Sequence, residues 1–392
     1  MFGNTFGRLF RITCCGESYS GGFRKNLPIP EQLYGGLMTI VDGVPAGIKI
    51  TAEMVQAELN KRRPGQTPLD SPRKEKDLVY IFSGVMENDL STGAPIGMII
   101  PNVDIQDEHI QQYRDYKDEV RPGHAEYGFF KKYGEFADWV GAGRASGRET
   151  ASRVAGGAIA KAVLNKMGID IVAYTIESHG IKANPVTYEQ ARANYRKNEI
   201  NCPDLDAAEK MIADVLKIKD MGETSGGVTE VIIKGVPAGL GEPVFDKINA
   251  LLAHAICSIG AIKGIEFGAG FEHARMLGSE SNDETYLDKA TGRIRFKTNN
   301  SGGILGGISN GEEIRIRCAV KPTPTISITQ DTVNVAEMKD VKLQPITRRD
   351  PTLLSRIYPV VEAMCCCTIL DAVFMAEAYW KVSKIDKKWL DI

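Results

Sequence analysis

Apolar residues run almost unbroken from Leu37 to Val44, and the turn Pro45 to Gly47 ends them. Behind the turn, Thr51 to Lys61 has apolar positions at helical spacing with a threonine at its start, which predicts an N-capped helix. The same succession returns at Val228 to Val236, which again runs into Gly-Val-Pro-Ala-Gly (235–239, first met at 43–47) and then a helical stretch, Phe245 to Ile259. A repeated pentapeptide in repeated surroundings predicts internal duplication of a strand-turn-helix unit. Further strands are expected at Leu78–Phe82, Ile96–Ile100, Ile169–Ile176, Gly264–Phe267 and Ile314–Val320, and helices at Glu149–Lys166, Tyr188–Arg196, Ala207–Leu216 and Val360–Trp380. No Pro/Ser linker divides the chain, and polar Lys182–Pro203 reads as an irregular excursion, so a single α and β domain over 1–392 is expected.

Composition narrows the class. With 392 residues, 43% of them hydrophobic, the chain can bury a large core. Lys and Arg number 48 against 50 Asp and Glu, so no global field draws it to nucleic acid or a membrane, and any cation cluster must be local. Met1–Phe10 lacks the apolar run of a secretory signal and no later stretch reads as transmembrane, so a cytoplasmic location is expected. The eight cysteines include Cys14-Cys15 and Cys365-Cys366-Cys367 but no CxxC spacing, which favours buried thiols over a metal site. Forty glycines, about 10% against a usual ~7%, point to a site built largely from main chain.

Five clusters carry candidate chemistry. Lys61-Arg62-Arg63-Pro64-Gly65, with Arg73 and Lys74 beyond, offers guanidinium forks for carboxylates or phosphates, although a solvated helix end gives the same pattern. Arg121-Pro122-Gly123-His124-Ala125 sets an arginine and a histidine around a turn, and a histidine titrating near neutrality suits protonation of a departing phosphate. His254, among Leu251, Leu252 and Ile256, is expected in the core instead. Gly141 to Thr150 is a glycine-rich loop opening into a helix, a start that offers free N–H groups to anions; its GxGxxxG spacing and crowding arginines exclude a dinucleotide fingerprint. The glycines of Thr298–Gly311, with Ile304, Leu305 and Ile308, suggest a packed loop under a flat ligand, and Lys321-Pro322-Thr323-Pro324-Thr325 follows a strand. Arg348-Arg349-Asp350-Pro351 makes a turn in which Asp350 can orient an arginine or act as a base.

In their order these blocks, with Gly16-Glu17-Ser18 near the start, resemble the chorismate synthase family over nearly the whole chain. The resemblance implies an α+β fold with helices sandwiched between antiparallel sheets, a homotetramer arranged as a dimer of dimers, and reduced flavin mononucleotide (FMN) near subunit contacts. It implies a 1,4-anti elimination of phosphate from 5-enolpyruvylshikimate 3-phosphate, in the shikimate pathway to aromatic amino acids. By likeness, Arg144, Ala145, Ser146, Ala261, Gly306, Lys321, Pro322, Thr323, Pro324, Thr325 and Arg348 contact flavin, while Ser18, Arg62, Arg63 and Arg121 hold substrate. His124 protonates the leaving phosphate, and Asp350 helps the flavin accept the substrate proton. No reductase domain is legible, so an external flavin reductase is expected, with NADPH relevant only if it supports flavin reduction; no metal is implied. Tyr19 stands where the family has a flavin-protonating histidine, Pro68 where it usually has an arginine and Arg349 where it has a histidine, and 20–35 reads as an insertion. A paralogous reduced-flavin lyase for a related acidic cyclic substrate, or a non-catalytic flavin-binding protein, are the alternatives.

Overall fold

The computed structural model of the chain describes residues 3–19, 35–71, 75–103, 105–344 and 349–383. The expected insertion therefore lies, but for Gly35, outside the described residues, as do Arg73, Lys74 and Arg348.

The first half builds one antiparallel sheet from β1 (Thr5–Phe6), β2 (Arg11–Cys15), β3 (Gly36–Asp42), β4 (Tyr80–Ile81) and β5 (Ile96–Pro101), in the order β1-β2-β3-β5-β4. Helix α1 (Ala52–Arg62) stands between β3 and β4, its N-terminus capped by the Thr51 side chain as the sequence predicts. After β5 come α2 (Asp107–Asp115), α3 (Glu126–Tyr133) and the long α4 (Thr150–Lys166). The second half runs β6 (Asp170–Ser178), β7 (Ile181–Lys182), α5 (Tyr188–Asn194), α6 (Leu205–Asp220), β8 (Gly227–Lys234), α7 (Ile248–Cys257), β9 (Ile262–Phe267) and the short α8 (Gly278–Ser281). Two hairpins follow, β10 (Thr285–Asp288) with β11 (Arg293–Phe296) and β12 (Ile304–Leu305) with β13 (Ile308–Ser309), then β14 (Ile314–Val320), the hairpin of β15 (Gln330–Asn334) and β16 (Lys339–Leu343), and α9 (Tyr358–Val382). The second large sheet, again antiparallel, has the order β7-β6-β8-β14-β9.

The two halves repeat one plan: β2-β3-β5-β4 with α1 and α4, and β6-β8-β14-β9 with α7 and α9. The pentapeptide repeats down to single atoms. Ser91 Oγ donates to Pro45 O (2.6 Å) and accepts from Ile48 N (2.9 Å); Ser309 Oγ donates to Pro237 O (2.6 Å) and accepts from Leu240 N (2.9 Å). Gly43 and Gly235 both have positive φ (86° and 84°), and a Cβ there would lie 1.8 Å and 2.3 Å from the carbonyl oxygens of Leu9 and Gly168. Only glycine fits such a turn.

Helices α4 and α9 pack against each other between the sheets, α4 on β2 and β3, α9 on β6 and β8. Gly157 brings their backbones together: a Cβ on it would come within 2.5 Å of Ala363 Cα. Contrary to the sequence expectation, α9 is long and apolar enough to cross a membrane, but 83% of its most apolar stretch is buried inside the protein. Its polar residues explain that placement. Asp371 Oδ1 accepts the amides of Arg8, Leu9 and Phe10 (3.0, 2.7 and 3.0 Å), tying the N-terminal segment to the core. Glu362 accepts Ala173 N (2.9 Å) and lies 3.4 Å from Lys161 Nζ, which also reaches Glu58 (3.3 Å). Burial acts to lower the Lys161 pKa, but Glu362 and Glu58 outweigh it and raise it. Cys365, Cys366 and Cys367 are buried on this helix, and burial pushes their thiols up, so they act as small apolar residues.

Candidate functional site

At one end of the sandwich, β5 and β14 finish and α4 and α9 begin, so residues far apart in sequence meet there. Lys321 leaves β14; its amide donates to Ala261 O (2.9 Å) and its Nζ to Gly123 O (2.5 Å) in the turn before His124. Ala261 takes a positive φ of 76° to make that junction. Thr323 Oγ1 donates to Asp350 O (2.5 Å), and Thr224 Oγ1 to Thr323 O (2.8 Å). The Asp350 carboxylate accepts Ser71 N (2.9 Å) and pairs with Arg356. The structure thus joins the histidine turn, the Lys-Pro-Thr block and Asp350. The β15–β16 hairpin braces the group: Val120 N donates to Val333 O (3.2 Å) and Thr332 Oγ1 to Val120 O.

His124 is mostly buried, and its Nδ1 has no hydrogen-bond partner, lying 3.4 Å from Glu126 Oε1. Glu126 is already paired with Arg121, whose Nε donates to it at 2.6 Å. Burial, then the Arg121 charge and, more weakly, that of Lys321 pull the His124 pKa from 6.5 down to about 4, with Glu126 opposing. At neutral pH the imidazole is uncharged until another anion joins it.

Arg62 is buried. Its Nη2 donates to Asp77 Oδ2 (2.5 Å) and its Nη1 reaches Gly147 O (3.1 Å) and Thr150 Oγ1 (3.3 Å). Arg148 joins this knot through Glu75 and Asp77. Burial acts to raise the Asp77 carboxyl, but Arg62 and Arg148 outweigh it and hold it below the usual range. The start of α4 is accordingly not the open anion nest expected from the glycine loop. Gly141, Ala142 and Gly143 all have positive φ, a 3-10 turn at Gly147–Glu149 precedes α4, and Arg148, Glu149 and Thr150 are buried. The amides of Ser146, Arg148 and Glu149 are taken up by Gly143 O, Ser146 Oγ and Ser146 O.

Arg144 is turned to the N-terminal segment, donating to Gly16 O (2.8 Å), Cys14 O (3.2 Å) and Asn4 Oδ1 (2.9 Å), while Ser146 Oγ accepts Arg148 N. Ala145 lies between them. Ser18 Oγ is buried without a partner, and Tyr19 is packed edge-on against Tyr113 (centroids 5.5 Å) beside Val140 and Ile110. Arg63, partly exposed, has no ion pair among the described residues. Arg349 points away from the group, donating to Ser327 Oγ (2.5 Å) and Lys219 O (2.7 Å).

One expectation is corrected by position, the core place of His254. Gly306 lies in the turn of the β12–β13 hairpin, a two-stranded sheet of its own that precedes β14, whereas Lys321 follows β14. In the loop around Gly306, Asp283 ties Thr298, Asn300 and Ser301, Ile304 is buried, and Leu305 and Ile308 are exposed. His254 is exposed beside Phe6, because the buried stripe of α7 is Ile248, Leu252, Ala255 and Ile256.

The family model described as chorismate synthase matches residues 33–374. The chain belongs to the chorismate synthase family. It is 66% identical to the chorismate synthase of Acetivibrio thermocellus over 99% of both chains, and 45% identical to that of Methanocella arvoryzae over 95% of this chain and 94% of the other. A crystal structure of chorismate synthase superposes with a TM-score of 0.71 at 29% identity, covering 94% of this chain and 93% of that one. The α+β fold with helices between antiparallel sheets, expected from the sequence, is the fold found. Sequence reasoning missed Arg356, the partner of Asp350, and Asp77, the partner of Arg62; neither stands in a motif, and only packing brings them in.

Proposed function

We propose that the chain makes chorismate, as a carbon-oxygen lyase that eliminates phosphate from 5-enolpyruvylshikimate 3-phosphate with reduced FMN as cofactor. The full-length similarity to chorismate synthases carries this reading, and it supports that activity over a paralogous or non-catalytic one. His124 Nδ1, buried without a hydrogen-bond partner beside the cations Arg121 and Lys321, suits an anionic ligand, and buried, unpartnered Ser18 Oγ suits a polar one. Lys321–Thr325, Ala261 and Arg144–Ser146 would hold the flavin, with Arg348 and Gly306; Arg62, Arg63, Arg121 and Ser18 would hold substrate. The flavin supplies the electron-rich ring against which the elimination proceeds.

The elimination breaks the C–O bond to phosphate and removes one ring proton, so an acid is needed at the phosphate and a base at the carbon. His124 is the acid, and it becomes cationic only when substrate anions offset Arg121 and Lys321. Asp350, oriented by Ser71 N and Arg356, would help the bound flavin accept the departing proton. Tyr19 donates a hydrogen bond in place of a proton, since a phenol has a pKa of about 10 against about 6.5 for an imidazole. The same reading includes a homotetramer, each copy a single domain, with the flavin held near the contacts between copies. A cytoplasmic location and an external flavin reductase belong to the same reading.

The test is anaerobic incubation with chemically reduced FMN and 5-enolpyruvylshikimate 3-phosphate, following chorismate and phosphate together. Equal release of both is expected; flavin binding with neither product would refute the assignment.

A further inference from the structure

A cavity of about 350 Å³ opens between the turn after α1, the 196–201 loop after α5, and Ser355-Arg356 before α9. Five of its lining residues are cations, Lys61, Arg63, Arg196, Lys197 and Arg356, against two acids, Asp70 and Glu199. Asp70 is fully occupied within the protein: Oδ2 accepts the amides of Gln66 and Thr67 (both 3.0 Å), and Oδ1 accepts Ser355 Oγ (2.7 Å). Lys61 is neutralised by Glu58 at 2.8 Å. Arg63, Arg196 and Lys197 have no carboxylate partner among the described residues. Arg196 instead lies over the Tyr358 ring (5.4 Å) and reaches Asn201 Oδ1 (3.4 Å), and Lys197 donates to Asn194 Oδ1 (2.8 Å). The Nε atoms of Arg63 and Arg356 are buried without partners.

Like charges gathered around a small cleft, with guanidinium donors unmatched, favour a compact anion with several acceptor oxygens. Arg356 links this cleft to the chemistry, because the same guanidinium pairs with Asp350. We propose that the cleft is an anion site for phosphate, free or as a small monoester, and that its occupation is coupled to Asp350 through Arg356. An anion drawing on Arg356 weakens its hold on the Asp350 carboxylate, so phosphate in the cleft shifts the acid limb of the activity profile toward higher pH. Arg356 is a positioning residue in this scheme. Of the five cations, Arg63 alone is also assigned to substrate above, so the inference goes beyond the proposed activity and does not decide it.

The experiment measures binding of inorganic phosphate and of glycerol 3-phosphate by calorimetry at constant ionic strength, and the pH profile of kcat with and without each. The wild-type protein is compared with the doubly substituted Arg196→Gln, Lys197→Gln protein; both side chains are exposed, and thermal melting without phosphate checks the fold. Expected are saturable binding weakened at least about tenfold in the variant, and a phosphate-dependent shift of the acid limb in the wild type that the variant lacks. Response to inorganic phosphate alone assigns the free anion, and a matching response to glycerol 3-phosphate assigns the esterified one. Equal affinity in both proteins, or binding that leaves both profiles unmoved, overturns the proposal. Neither result touches the chorismate assay, which is run without added phosphate.

Discussion

Substrate binding should make His124 take up a proton. In the ligand-free protein its pKa is about 4, so at pH 6.5 well under one part in a hundred is charged. The cause is burial together with Arg121 and Lys321, and a phosphate bound between those two cations removes the charge part of the penalty. The larger, burial part remains, so the phosphate's own negative charge must offset that as well; a full return to 6.5 amounts to about 3 kcal/mol and would load roughly half a proton at pH 6.5. Calorimetry of 5-enolpyruvylshikimate 3-phosphate binding, with oxidised FMN present and in buffers of differing ionisation enthalpy, reads that proton directly. The His124→Gln variant subtracts protons exchanged by the substrate's own phosphate. If wild type and variant show the same proton balance, the reasoning fails. The ligand-free protein gives a second readout. Between pH 6.5 and about 4 the unfolded histidine binds a proton that the folded one refuses, so stability falls as pH falls through that window. His124→Gln should flatten this slope.

Three predictions concern the frame that holds the site. Gly157→Ala forces a Cβ against the backbone of Ala363 and should destabilise the protein by roughly 1–3 kcal/mol in urea unfolding, whereas Gly168→Ala, which meets no neighbour, should show only its positive-φ strain. Lys161→Met leaves Glu362 charged and buried and should cost about 3–5 kcal/mol, with part recovered by adding Glu362→Gln. Asp371→Ala strands the amides of Arg8, Leu9 and Phe10 and should lower stability by at least about 2 kcal/mol, with hydrogen exchange rising first in β1 and β2.

Local patterns were legible in the sequence because they depend on neighbours along the chain. Alternating and helical periodicity located β14 to the residue and α4, α5 and α9 to within a few, and the Thr51 cap and both Gly-Val-Pro-Ala-Gly turns were readable where they stand. The family, and with it the chemistry, was also legible, because it resides in residue types and their order. Short edge strands such as β1 escaped, since two residues carry no period. Tertiary structure decided which charged residues face inward and with whom. Arg62 lies buried on Asp77, and the arginine beside Asp350 is Arg356, with Ser71 N as the carboxylate's second partner; the sequence names neither Asp77 nor Arg356. It also decided that α9, apolar enough for a lipid bilayer, sits between two sheets, with Glu362 and Asp371 paired to groups nearly 200 and more than 350 residues away. Pairing energies depend on distance in space and on local burial, and neither is a function of position along the chain.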